Sequence, residues 1–156
     1  FDLGYRDSNM VTDEEHEQRY QSIIEHFSNN QTVSIIRDLS TSATSKFDNN
    51  FFDWIYIDAD HSYDGCLKDL KAYNNKVKLN GYICGHDYFP PGVGKKGFGV
   101  NEAVNDFIKE EGYYFVGYTN EAKFTSYVIA KTKEASSSLG YIKESKTNTD
   151  TTLILK

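Results

Sequence analysis

A chain of 156 residues suffices for one domain that buries roughly two thirds of the surface its unfolded form exposes, so no second domain is needed. Its 17 basic and 23 acidic residues give a net charge of -6 with no basic run, so nucleic acid is not expected as a partner held through charge. No apolar stretch approaches the roughly 20 residues of a membrane-spanning helix and no basic segment leads into an apolar core, so the expectation is a soluble, cytoplasmic protein.

Residues 1–11 read as a loop. The opening FDLGYRD follows no initiator methionine and reads like the exit from a strand, so the chain is expected to be a fragment. Thr12 and Glu15 form a capping box, and Tyr20, Ile23, Ile24 and Phe27 follow at helical spacing, which predicts an amphipathic helix over residues 12–28. His16 and His26 lie on or beside its polar face and are assigned no chemistry. Val33, Ile35 and Ile36 are β-branched and predict a short strand closing on Arg37, Asp38 and Ser40. A helical turn is expected over residues 41–46.

The centre of the chain is the stretch from Phe51 to Tyr88. Phe52 to Ile57 form an apolar run broken only by Asp53 and stopped by Asp58, Asp60 and His61, which predicts a strand buried on both faces. Ser62 is a suitable N-cap for a helix whose apolar face carries Cys66, Leu67, Leu70 and Tyr73. Asn80 and Gly81 predict a turn, and a second strand, Tyr82 to Gly85, runs into His86, Asp87 and Tyr88. Such a βαβ unit joins parallel strands, so both polar clusters emerge at one carboxyl edge, where open α/β sheets bind ligands.

The loop FPPGVGKKGFG that follows has the length and composition of a lid. Val100, Ala103, Val104, Phe107 and Ile108 then predict a helix stopped by Gly112. The aromatic and β-branched runs 113–118 and 124–130 predict an antiparallel hairpin at the sheet edge. After Lys131 the composition shifts, so residues 133–156 are expected to be a linker or mobile tail, with TTLILK as an extra strand at its end. Cys66 and Cys84 lack metal or redox spacing and are read as small core residues in a reducing compartment.

Asp58 is the leading candidate for chemistry, because a carboxylate ending a buried strand needs a cation, a backbone donor or a ligand; capping the next helix is the structural alternative. His61, three residues on, has the chemistry of a general base near neutral pH. His86 and Asp87 repeat the pattern at the neighbouring strand end. A divalent cation between Asp58 and Asp87 would relieve the repulsion of two carboxylates, with Mg2+, Ca2+ or Mn2+ favoured by oxygen ligands and a transition metal if imidazole joins. Asp60 more naturally points into the loop.

WIYIDADHSYDGCLKDLKAYNNKVKLNGYICGHDY, with the Gly/Pro loop and the VNEAVNDFI helix after it, resembles the second half of a class I S-adenosylmethionine-dependent methyltransferase, near the sugar and macrolide O-methyltransferases. The resemblance covers residues 1–132. It implies a Rossmann-like, doubly wound α/β fold with a mainly parallel sheet, a carboxyl-terminal antiparallel hairpin, and first strands that this chain lacks. It implies metal ligation by Asp58 and Asp87, with His86 beside them where those enzymes carry an acid, and His61 as the catalytic base. It places Asp38 and Ser40 at the adenine side of the cofactor, with Asp58 also in the cofactor's reach. The family's glycine-rich cofactor turn has no counterpart here, so weak cofactor binding is expected. The function implied is methyl transfer from S-adenosylmethionine to a hydroxyl of a sugar or other small molecule. Two rivals stand beside it: a metal-dependent phosphoesterase using Asp58, Asp60, His61, His86 and Asp87 on two cations, and a non-catalytic module that keeps the fold and binds a partner or sugar. The oligomeric state stays open.

Overall fold

In a computed structural model, residues 12–89, 98–119 and 125–138 are described. The first helix, α1 (Asp13–Phe27), starts at the expected capping box: Thr12 Oγ1 accepts from the Glu15 N–H, and the Glu15 carboxylate accepts from the Thr12 N–H. None of its residues is buried, and Ile23 and Ile24 on its apolar face stay exposed. The chain after it has no regular secondary structure through residues 33–37 and joins no sheet among the described residues, contrary to the predicted strand. β-branching favours extended backbone, whereas a strand also needs a ladder partner and a covered face. Val33 and Ile36 have neither and remain exposed. The expected helical turn is present as α2 (Ser40–Ala43) followed by a 3-10 turn, Thr44–Lys46.

The described residues form four strands, β1 (Phe52–Ile57), β2 (Val77–Gly85), β3 (Tyr114–Tyr118) and β4 (Tyr127–Ala130), in the order β1-β2-β4-β3. β1 and β2 are parallel and joined by α3 (Tyr63–Tyr73), while β4 runs antiparallel to both β2 and β3. This is the expected α/β crossover with an antiparallel edge hairpin, and among the described residues the parallel pairing is confined to β1 and β2. The turn of that hairpin, residues 120–124, lies outside the described residues, as does the lid segment 90–97.

Helices α3 and α4 (Val100–Glu111) pack against each other and share a core with one sheet face. Ile55, Ile83 and Ile129 lie side by side across three strands and, with Leu70, Val104 and Phe107, form its centre. Burying each such side chain contributes about 1.5–3 kcal/mol. α4 ends where Gly112 takes φ 73, a left-handed value that glycine adopts without a Cβ penalty.

Three further expectations need correction. β1 is not buried on both faces: Ile55 is 9% exposed but Trp54 and Tyr56 are 52% and 48% exposed. Among the described residues it is an edge strand, and successive side chains alternate between a covered and an open face. Asn80 and Gly81 do not form a turn before β2; they lie inside it, at an irregularity where the register jumps from Phe52 opposite Val77 to Trp54 opposite Tyr82. Finally, the stretch after Lys131 opens with a helix, α5 (Lys133–Ser138), whose Ala135 is buried and whose carbonyl there accepts from Tyr82 Oη at 3.0 Å. Residues 139–156, including TTLILK, lie outside the described residues. No helix among the described residues is long and apolar enough to cross a membrane.

Candidate active site

Parallel pairing sets Ile57 opposite Gly85, so the residues after both strands emerge at one edge. The His86 N–H donates to the Ile57 carbonyl at 3.1 Å, carrying the contact one residue further. Asp58, His61 and Asp87 thereby meet, with one donor atom from each lying within 4.8 Å of the others. His61 Nε2 stands 3.1 Å from Asp87 Oδ2 and 3.6 Å from Asp58 Oδ1.

Asp87 is the buried member, with only 4% of its side chain exposed. Its backbone takes φ 60, a left-handed conformation that aspartate tolerates better than most residues. That conformation ends the strand and turns the carboxylate into the cluster. Its Oδ1 is buried without a hydrogen bond among the described residues. His86 Nδ1 lies 3.6 Å from this oxygen and 3.9 Å from Asp58 Oδ1, so it borders the cluster without belonging to the three-donor set.

His61 sits in the loop that opens α3. Its carbonyl accepts from the Gly99 N–H at 2.8 Å, and its ring stacks on Phe98 with centroids 4.7 Å apart. Ser62 caps α3 as expected, accepting from the Gly65 N–H. Asp60 turns the other way, its Oδ1 accepting from the Ser62 N–H at 2.8 Å. It shapes the loop rather than joining the cluster.

Beside Asp58 a groove of about 410 Å³ runs along β1, walled by Ser40, Trp54, Tyr56, Asp58, Asp69 and Tyr73. Asp69 was not singled out by sequence, because it lies on a helix among other polar residues. It is 5% exposed and accepts from Ser40 Oγ. Burial, the largest influence, pushes its carboxyl up, the Ser40 hydroxyl opposes, and Asp60 adds to the rise. An acid raised in the folded state contributes its full stability below the unfolded value of about 3.9 and loses it as pH rises through the folded value. Asp69→Asn keeps an oxygen for Ser40 and removes the buried charge. Its melting temperature is expected to exceed that of the parent at pH 7, with the gap closing as the pH falls from the raised folded value toward that unfolded value; melting curves across the range check this.

A methyltransferase-domain family profile matches residues 4–88, more than half of the chain, including both strand ends. The chain belongs to the methyltransferase-domain family. No curated protein matches it. Two crystal structures are similar in fold. A protein from Corynebacterium glutamicum aligns with TM-score 0.53 and 11% identity over 76% of this chain and 57% of that one. A putative caffeoyl-CoA O-methyltransferase from Staphylococcus aureus aligns with TM-score 0.54 and 16% identity over 76% of this chain and 61% of that one. The methyltransferase domain described here thus spans about three fifths of the length of its structural neighbours.

Within this methyltransferase domain the expected cofactor residues separate. Ser40 and Asp58 line the groove, whereas Asp38 does not. The Asp38 carboxylate is taken by Lys46 Nζ at 2.8 Å and by the Leu39 N–H at 2.9 Å, which in that order hold its pKa below the usual carboxylate range. Cys66 and Cys84 are pushed up to about 12 and about 11 by burial, which leaves both as unreactive thiols, in keeping with a packing role.

Proposed function

We propose that this methyltransferase domain serves an S-adenosylmethionine-dependent O-methyltransferase acting on a hydroxyl of a sugar or other small molecule in the reducing cytoplasm. The observation that carries the reading is the meeting of Asp58, His61 and Asp87 at adjacent parallel strand ends. The neighbour described as a putative caffeoyl-CoA O-methyltransferase favours oxygen as the accepting atom.

His61 is the proton acceptor in this reading. Asp87 Oδ2 stands 3.1 Å from Nε2, close enough to pair with the ring at that nitrogen, which leaves Nδ1 to take the hydroxyl proton. Asp58, half exposed at the cluster's outer side, places a second carboxylate oxygen 3.6 Å from Nε2. The groove along β1 abuts Asp58 and supplies apolar and aromatic wall beside the reacting centre. When bound, the cofactor supplies an electrophilic methyl group, and a cation would lower the pKa of the hydroxyl.

The residues fit a divalent cation. Two carboxylates and an imidazole make an acceptable donor set, and the buried Asp87 Oδ1 lacks a donor. Asp58 and Asp87 would hold the ion, with His86 next to Asp87 Oδ1. The three-donor cluster favours a second reading in which His61 is itself a ligand. The rival two-cation phosphoesterase loses Asp60 to the Ser62 N–H.

The reading is tested by incubating the protein with S-adenosylmethionine labelled in its methyl group and a panel of hydroxyl-bearing sugars and phenols. Label is expected in a methyl ether of one class. Hydrolysis of phosphate esters without any methyl transfer would replace the reading with the phosphoesterase.

A further inference from the structure

We propose that Phe98 is the positioning residue that fixes the His61 imidazole against the strand-end carboxylates, an inference that rests on the reading of His61 as proton acceptor. A loop histidine turns about two side-chain bonds, whereas proton transfer needs its nitrogen within about 3 Å of the hydroxyl. His61 keeps 40% of its side chain exposed, so burial alone does not hold it.

Three contacts fix it from three directions. The Gly99 N–H holds its backbone carbonyl, Asp87 Oδ2 faces Nε2, and the Phe98 ring covers one face of the imidazole at an interplanar angle of 25°. The residues that hold its backbone and its ring are consecutive. Position 99 tolerates no side chain, since a Cβ there would lie 2.6 Å from the Tyr63 backbone nitrogen. This close approach locks the start of α4 onto the start of α3 and sets the Phe98 ring over His61.

Phe98 is in turn braced edge-on by Phe89, with centroids 5.8 Å apart and planes at 74°. Phe89 follows Asp87 by two residues, so the brace ties the imidazole's cover to the strand end that carries its carboxylate. Phe98 is only half-buried and stands apart from the core cluster around Leu70 and Phe107. Its flat face serves His61 rather than the core. An aromatic pair of this kind biases a conformer ratio roughly 2- to 12-fold.

Proton NMR of the 156-residue chain tests the idea without reference to activity. His61 ring protons are expected to carry the shielding of the Phe98 face, while those of His16 on the exposed α1 mark an unstacked imidazole. In Phe98→Leu, which keeps apolar bulk, the His61 signals should move toward the His16 values with the melting temperature unchanged, and Phe98→Tyr should restore them. Turnover in Phe98→Leu should fall roughly 2- to 12-fold with KM unchanged. His61 ring shifts identical in Phe98→Leu and the parent would overturn the proposal. If the shifts move but His61→Ala leaves turnover intact, Phe98 does cover the ring and the proton acceptor lies elsewhere, so the two readings fail separately.

Discussion

His61→Ala is expected to lower turnover by about 10²- to 10⁴-fold while cofactor affinity stays close to that of the parent, the signature of a lost proton acceptor. The imidazole lies at the edge where both strands end, with Nε2 held by Asp87 and its face covered by Phe98. It does not line the groove along β1, so its removal leaves those walls in place. His86 is the necessary control. Its Nδ1 is 3.6 Å from Asp87 Oδ1 and 3.9 Å from Asp58 Oδ1, near enough to compete for the role. Steady-state kinetics with both variants decide the matter: His86→Ala should leave most of the rate. A silent His61→Ala beside an inactive His86→Ala would move the base to the other strand end.

The local chemistry of element ends was legible because it is carried by neighbours in sequence. The capping box of Thr12 and Glu15, the Ser62 cap and the Gly112 stop each depend on a few adjacent residues, and each stands where its letters put it. What failed depends on partners far along the chain. Trp54 and Tyr56 read as core in an apolar run, yet they stay exposed because they lie on the face of β1 opposite Ile55, which no described element covers. Val33 and Ile36 are good strand formers without a ladder, and Ala135 finds a buried seat in a stretch whose composition suggests a tail.

The same division holds at the site. Parallel topology brings Asp58, His61 and Asp87 to one edge, and a strand–helix–strand pattern with polar stops foretells that much. Whether His61 or His86 shares the carboxylates depends on side-chain direction. Residues 86 and 87 are consecutive, and the left-handed turn at Asp87 decides which of them faces the cluster. Phe98 carried no signal at all, since its role comes from a contact between two loops that only the packing of α3 on α4 brings together.

Asp87 should be the residue on which cation binding depends. A carboxylate with 4% of its side chain exposed and one oxygen lacking a donor leaves unmet a demand that costs about 1–3 kcal/mol or more for a charged group. His61 Nε2 lies 3.1 Å from Oδ2, Oδ1 retains its demand among the described residues, and Asp58 offers a second carboxylate across the cluster. A cation that binds the folded chain alone raises its stability by about 2.7 kcal/mol when present at 100 times its Kd. Adding Mn2+ or Mg2+ to the parent is therefore expected to raise the melting temperature, and Asp87→Ala should abolish the rise. The His61→Ala chain separates the two uses of the imidazole: if His61 serves only as base, its chain keeps the cation-dependent rise, and if it is the third ligand, the rise shrinks with it. A melting temperature that climbs equally in the parent and in Asp87→Ala would place the ion elsewhere on the molecule. No rise in the parent at millimolar cation would leave the two carboxylates with the single task of holding His61.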